Sequence, residues 1–348
     1  MKSNMTDHLK ILLQYLLPKH LVSRLVGRVA AKQGGSLPQW LIKRFIRHYQ
    51  VNMSEALHED PAHYASFNDF FTRALKADAR PVVPGEQVLA MPVDGAISQL
   101  APIVEGRIIQ AKGHDYSART LLGGDKDLAA PFMGGDFATI YLAPKDYHRI
   151  HMPVDGVLRT MIYVPGELFS VNPLTASRVP ELFARNERVV CLFDTPAGPM
   201  AMVLVGATIV ASIETVWAGT VTPPAGKRIQ RWDYEPETAP RLAKGDEMGR
   251  FKLGSTIVCL FAPAQVSLAE HLLPGTPTRM GSEFGIINHL INNPIVESEL
   301  STPDAEPTHP AIESELSEPE LTTSELSEPE LSTPELSAPN ASSEPPKP

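Results

Sequence analysis

The sequence predicts an α+β protein: amphipathic N-terminal helices, then a predominantly antiparallel β body of sandwich or barrel-like form, then a disordered acidic tail. Three observations carry this. Helical leucine spacing is confined to residues 1–50, short apolar and β-branched runs separated by Gly, Pro and Asp fill residues 88–261, and beyond residue 296 the chain is dominated by Pro, Ser, Thr and Glu.

Charge divides the chain at similar places. The formal charge of −9 conceals nine Lys/Arg against the single acid Asp7 in residues 1–50, a net of +8, and thirteen Asp/Glu against Lys347 in residues 297–348, a net of −12. We therefore read three regions: 1–65, 66–296 and 297–348. Cys191 and Cys259 are too few for a disulfide framework or a four-thiolate metal site. No run approaches the ~18 consecutive apolar residues that span a bilayer. The apolar run 11–17 is short, interrupted by Gln14 and followed by Pro18, which argues against a secretory signal.

In the first region, Leu9, Leu12, Leu13, Leu16 and Leu17 share one helical face, with Thr6 or Asp7 as cap and Pro18 as stop. Leu21, Val22, Leu25, Val26 and Val29 repeat the pattern beside Arg24, Arg28 and Lys32, until Gly34 and Gly35 end it. Residues 40–49 set Leu41, Ile42, Phe45 and Ile46 against Lys43, Arg44 and Arg47. Such helices ordinarily pack as core. Here the net +8, with Trp40 and Tyr49, favours an anionic membrane surface, where apolar faces enter the acyl boundary and each Lys or Arg contributes ~1 kcal/mol. Nucleic acid is disfavoured, because the charges alternate with large aliphatic faces.

A helix capped by Ser66 is expected over 66–75, ending before Arg80-Pro81. Strands follow at 88–91, 137–142, 157–164, 189–193, 202–212 and 255–261. One echo stands out: Met91-Pro92-Val93-Asp94-Gly95 recurs as Met152-Pro153-Val154-Asp155-Gly156, marking two equivalent strand-turn corners. Residues 297–348 hold ten prolines, no aromatic residue and SELSEPEL twice, and are expected to be disordered.

The stretch with chemical content is Leu253-Gly254-Ser255-Thr256, leading into strand 255–261. Gly-Ser-Thr alone is a common turn. Its company is not common: Tyr147-His148-Arg149-Ile150-His151-Met152-Pro153, the Met91 to Gly95 motif, Lys112-Gly113-His114-Asp115-Tyr116-Ser117 and Ala184-Arg185-Asn186-Glu187-Arg188. Together these motifs resemble the phosphatidylserine decarboxylases of the bacterial membrane-associated type, over most of residues 1–295.

That resemblance implies a self-processing proenzyme that converts phosphatidylserine to phosphatidylethanolamine and CO2. Ser255 Oγ would attack the Gly254 carbonyl, and cleavage between Gly254 and Ser255 would leave a pyruvoyl cofactor, derived from Ser255, that forms a Schiff base with the substrate amine. The family's Asp-His-Ser set falls on Asp94, His151 and Ser255. Asp155 sits in the same local sequence as Asp94, and the family motif selects Asp94. His148 is expected to donate a proton or bind the substrate carboxylate. It lies three positions before His151, so both reach one site only if the strand is broken by a bulge or turn. The implied partners are phosphatidylserine, the membrane surface and the two cleaved chains as a heterodimer or a dimer of heterodimers. The implied location is the cytoplasmic side of the cell membrane, held peripherally. No metal is expected, since His148 and His151 lack an evident third ligand. The order Asp, His, Ser also suits a serine hydrolase with an unprocessed Ser255, and a carrier or binding domain is the non-enzymatic alternative.

Overall fold

The computed structural model describes residues 5–208, 212–222, 226–252 and 255–291. The chain divides after Ile295, and everything described belongs to the first unit. The tail expected at 297–348 lies outside the described residues.

Three helices open the chain: α1 (Met5–Leu16), α2 (Lys19–Ala31) and α3 (Ser36–Tyr49). They differ in what they do with their apolar faces. On α3, Ile42 is fully buried and Phe45 meets Phe67, Phe70 and Phe71 edge-on. On α1 no residue is buried, and Leu12 and Leu16 are 53% and 69% exposed. The contacts of α1 with the body run through Gln14, whose Oε1 accepts from the Ser170 amide at 2.9 Å and the Thr208 hydroxyl at 3.2 Å, and through Tyr15 on Phe169. An ordinary amphipathic helix turns its leucines inward; this one does the reverse.

A short helix α4 (Phe67–Phe71) carries the predicted cap: Ser66 and Asp69 form a reciprocal capping box. It ends earlier than the expected residue 75, because the Thr72 hydroxyl donates back to the Asn68 carbonyl at 2.9 Å and closes the last turn.

The body is an antiparallel sheet of nine strands. Its main path runs Gln230–Asp233, Gly156–Val164, Arg188–Thr195, Gly198–Val205, Ser255–Phe261, Asp136–Leu142, Gly95–Pro102 and Pro277–Thr278, and Arg241–Leu242 pairs with Gly156–Val164 beside it. The sheet is open, and no barrel closes among the described residues. Ser255–Phe261 lies near its middle with every residue buried. Ile257, Cys259 and Phe261 enter the core on one face, and Val258 and Leu260 enter the core on the other. Burial on both faces is why this strand reads as a continuous apolar run rather than an alternating one. On the Ile257 face the core is shared with two smaller sheets, one containing Arg149–His151 and Glu247–Phe251, the other Val88–Ala90 and Glu283–Ile287.

The strand expected over 202–212 ends at Val205. Residues 209–211 lie outside the described residues, and Ile213–Thr215 belongs to the smaller sheet with Glu247–Phe251. The two Met-Pro-Val-Asp-Gly copies lie against each other: the Ala90 amide donates to the Pro153 carbonyl at 2.8 Å, and the His151 amide to the Pro92 carbonyl at 2.9 Å. The echo thus marks two corners that pair reciprocally, each followed by a strand of the large sheet that begins at its glycine.

Candidate active site

Ser255 is the first residue of its strand, opposite Leu142, and Thr256 lies between Tyr141 and Val205. Ser255 is completely buried, and its Oγ has no hydrogen-bond partner among the described residues. A buried hydroxyl without a partner costs about 1–3 kcal/mol, so its presence calls for a chemical reason. Gly254, the other half of the expected cleavage site, lies outside the described residues together with Leu253.

The loop that leaves Leu142, the partner of Ser255, returns to Phe251. The Phe251 amide donates to the His148 carbonyl at 3.0 Å, while Leu142 pairs with Ser255 at the other end. The chain from Leu142 to His148 therefore spans the stretch from Ser255 back to Phe251, and this brings His148 to the site. Asp146 shapes the loop by accepting from the Ala143 amide at 2.6 Å.

His148 is fully buried, with its ring 4.2 Å from that of Phe71 on α4. Its Nδ1–H donates to the Asp146 carbonyl at 2.9 Å. A carbonyl can only accept, so Nδ1 carries the proton and Nε2 presents its lone pair, which has no partner among the described residues. Burial pushes its pKa down to about 3, against the opposing pull of the Asp146 carbonyl and with the help of the Arg73 charge. The ring is neutral at physiological pH.

His148 precedes the short strand Arg149–His151, and His151 ends it. The same logic fixes the His151 tautomer: Nδ1–H donates to the Gly245 carbonyl at 2.8 Å, and Nε2 accepts from the Tyr147 hydroxyl at 3.1 Å. Burial lowers the His151 pKa, opposed by the Gly245 carbonyl and the charge of Glu247. Burial likewise pushes the Tyr147 phenol up to about 12, so it stays protonated as the donor. Two neutral imidazoles with defined lone pairs thus stand on the segment that pairs with Glu247–Phe251.

Asp94 and Asp155 occupy equivalent corners but different surroundings. Asp155 is exposed and caps the Lys244 amide at 2.7 Å. Asp94 is buried, accepts the Met280 amide at 2.8 Å, and is gripped by Arg80 through Nε at 2.9 and 3.1 Å and through Nη2. Arg80 also reaches Glu55 at 2.9 Å and the Ala79 carbonyl at 2.7 Å. Burial alone would lower the Arg80 pKa, but its bonds to Asp94 and Glu55 outweigh this and hold it above the ordinary value. A polar cavity of 230 Å³ opens beside Asp94, with Arg73, Arg80, Asp146 and Tyr147 in its wall.

The four predicted side chains are therefore buried around neighbouring segments, but in this arrangement they form no hydrogen-bonded triad. His151 bonds Tyr147, Asp94 bonds Arg80, and Ser255 Oγ bonds nothing among the described residues; the Asp94 charge still acts on His151. Sequence reasoning missed Tyr147, although it stands four residues before His151 inside the motif. It also missed Arg80, read only as the residue before Pro81. Neither partner could be paired without knowing which segments meet. Among the described residues no cluster of three or more His, Cys, Asp or Glu could hold a metal ion.

Comparison with known proteins supplies the remaining constraint. Residues 67–286 match the sequence model of the family described as phosphatidylserine decarboxylase, and residues 9–50 match a second model described as PSD. The phosphatidylserine decarboxylase proenzyme of Pseudoalteromonas translucida is 63% identical over 284 residues, 81% of this chain and 99% of that one. That of Pseudoalteromonas atlantica is 65% identical over 285 residues, again 81% and 99%. That of Vibrio cholerae is 59% identical over 280 residues, 80% and 98%.

Proposed function

This chain belongs to the phosphatidylserine decarboxylase family, and from that premise we propose how its own residues carry the conversion of phosphatidylserine to phosphatidylethanolamine and CO2. Ser255 attacks the carbonyl of Gly254, and its hydroxyl proton passes to a neutral imidazole. The amide becomes an ester on Ser255 Oγ. Elimination breaks the Cβ–Oγ bond, releasing residues 1–254 with a carboxyl terminus and leaving dehydroalanine at 255. Water then converts that group to pyruvoyl with loss of ammonia. The observation that carries this reading is the fully buried Oγ of Ser255, without a partner among the described residues. Serine is a poor nucleophile until a base takes its proton, and water in the pocket would compete with the acyl shift.

The pyruvoyl group fits this position, since a dry, centrally placed strand end surrounds a reactive carbonyl with apolar walls. Its chemistry when formed is that of an electron sink for the electrons released with CO2. The protein's own contribution is proton handling and orientation. His151, oriented by the Gly245 carbonyl and within the field of Asp94, serves self-cleavage with Ser255. His148 Nε2 is a lone-pair acceptor, so it must first take up the proton that it returns to the substrate Cα.

The cleaved chains stay together as a heterodimer. All seven residues of Ser255–Phe261 pair with Asp136–Leu142, and six pair with Gly198–Val205, so the new terminus begins inside a sheet that does not depend on the broken bond. The protein binds the cytoplasmic face of the cell membrane peripherally, through the outward leucines of α1. No described helix is long and apolar enough to cross a membrane.

A denaturing gel with intact mass tests the chemistry. Active protein should give chains 1–254 and 255–348, the latter lighter than a serine-ended chain by one ammonia, and Ser255→Ala should remain whole. A single full-length species with full activity would leave the serine hydrolase reading in its place.

A further inference from the structure

Between α2 and the body lies a second polar cavity, of 370 Å³, outside the cluster of Ser255, His148 and His151. Arg24 and Arg28 enter it from α2, one turn apart and on the same face, and Lys252 enters from the opposite side. Neither arginine has an ion-pair or hydrogen-bond partner among the described residues, whereas Lys252 is held by Glu214. Ser212 lines the same cavity with its Oγ buried and without a partner among the described residues, and so does Asn68 with its Oδ1. Glu187, the carboxylate in the wall, is already satisfied by the Tyr163 hydroxyl at 2.9 Å and the Thr222 hydroxyl at 2.6 Å. The cavity is thus a cationic one, with Arg24, Arg28 and the Ser212 hydroxyl as its spare donors, Asn68 Oδ1 being an acceptor.

Its position ties it to the reaction centre. The Lys252 amide donates to the Ser212 carbonyl at 2.9 Å, and the Gly206 amide donates to the Glu187 carbonyl at 2.9 Å, one residue beyond Val205, the partner of Thr256. Asn68 stands on α4, whose Phe71 packs on His148. Three peptide units place the Cα atoms of Lys252 and Ser255 no more than about 11 Å apart. In a serine phosphodiester the amine and phosphorus are separated by four bonds, on the order of 5 Å, so a headgroup whose amine is at residue 255 would set its phosphate toward the Lys252 end of the cavity, the end that the chain ties to residue 255.

We propose that Arg24, Arg28 and the hydroxyl of Ser212 bind the phosphodiester of the lipid substrate, and so determine that the enzyme acts on a phosphorylated serine rather than a free one. This rests on the functional reading above. A lipid phosphate is favoured over a soluble one because α2 also bears Leu25 and Val29 outward, 51% and 45% exposed, along an apolar groove of 660 Å³ shared with Trp40 and Phe45. One helix then presents a phosphate clamp and an acyl path side by side.

The test separates clamp from membrane attraction by using a lipid that is soluble as a monomer. Dihexanoyl phosphatidylserine is titrated calorimetrically into the full-length Ser255→Ala chain, with and without Arg24→Gln and Arg28→Gln. Each lost charge-assisted contact should weaken binding about tenfold. In the processed enzyme the same pair should raise KM for that lipid by a similar factor while kcat changes less than about twofold. Inorganic phosphate should bind the parent chain far more weakly than the lipid. An unchanged Kd and KM, or inorganic phosphate binding as tightly as the lipid, overturns the proposal. So does a loss confined to anionic vesicles with monomeric lipid unaffected, which would assign the arginines to the membrane surface. A wild-type chain that never cleaves would instead sink the processing chemistry, and the calorimetric result would still decide the clamp.

Discussion

Arg80→Met is the substitution whose consequence the structure defines most sharply. The Arg80 side chain is 9% exposed, and those of Asp94 and Glu55 are 11% and 25% exposed. Removing the guanidinium takes away all three Asp94 contacts and leaves that carboxylate, still buried, with only the Met280 amide among the described residues. Two unit charges in contact near a protein surface attract by about 4 kcal/mol, and stripping one partner from a largely buried pair costs about 3–5 kcal/mol. Glu55 keeps Arg279 at 3.0 Å, which softens its share of the loss. We expect a destabilisation of about 3–4 kcal/mol, measured by urea unfolding of the uncleavable Ser255→Ala chain at constant m-value. The double variant Arg80→Met/Asp94→Asn should recover at least half of it, because a neutral amide can still accept from Met280 without needing a counter-charge. In the otherwise wild-type chain, Arg80→Met should also slow self-cleavage, visible as persistent full-length protein. A loss under about 1 kcal/mol, or strictly additive single substitutions, would show that Arg80 does not hold Asp94 in solution.

Two further outcomes follow. His148 has a folded pKa of about 3 against an ordinary 6.5, so the unfolded chain binds the extra proton between those values. Stability from this residue is therefore full above pH 6.5 and is lost as pH falls toward 3, by about 5 kcal/mol. His148→Phe, which keeps the packing on Phe71, should remove about one proton from the slope of unfolding free energy against pH, and an unchanged slope refutes the buried neutral ring. Leu12→Asp with Leu16→Asp touches no buried contact, so folding and self-cleavage should be unaffected while co-sedimentation with phosphatidylglycerol vesicles drops tenfold or more. Equal sedimentation would mean that α1 does not enter the lipid.

Local signals in the sequence were reliable wherever the physics was local. The cap of α4 follows from Ser66 and Asp69, because a capping box needs only residues three apart. The strand Ser255–Phe261 begins and ends where its apolar run does. The run over 202–212 misled for the same reason: apolar, β-branched composition says that a segment is buried, but not that the chain changes sheets between Val205 and Ile213. The three N-terminal helices have similar patterns and opposite fates, since whether an apolar face meets Phe67 and Phe70 or solvent depends on what the rest of the fold offers it.

Capping and periodicity are written in neighbouring side chains, so the fold class and the helical and β regions were legible in the chain itself, and the family resemblance of its motifs pointed to the candidate residues. Tertiary structure alone decided their environments. It separated Asp94 from Asp155, two aspartates in identical local sequence, by burying one against Arg80 and leaving the other on the Lys244 turn. It assigned the proton of each imidazole by placing a carbonyl opposite Nδ1, and it left the Ser255 hydroxyl fully buried and without a partner among the described residues. Reactivity of this kind depends on desolvation and on partners tens to hundreds of residues away, and no local pattern encodes either.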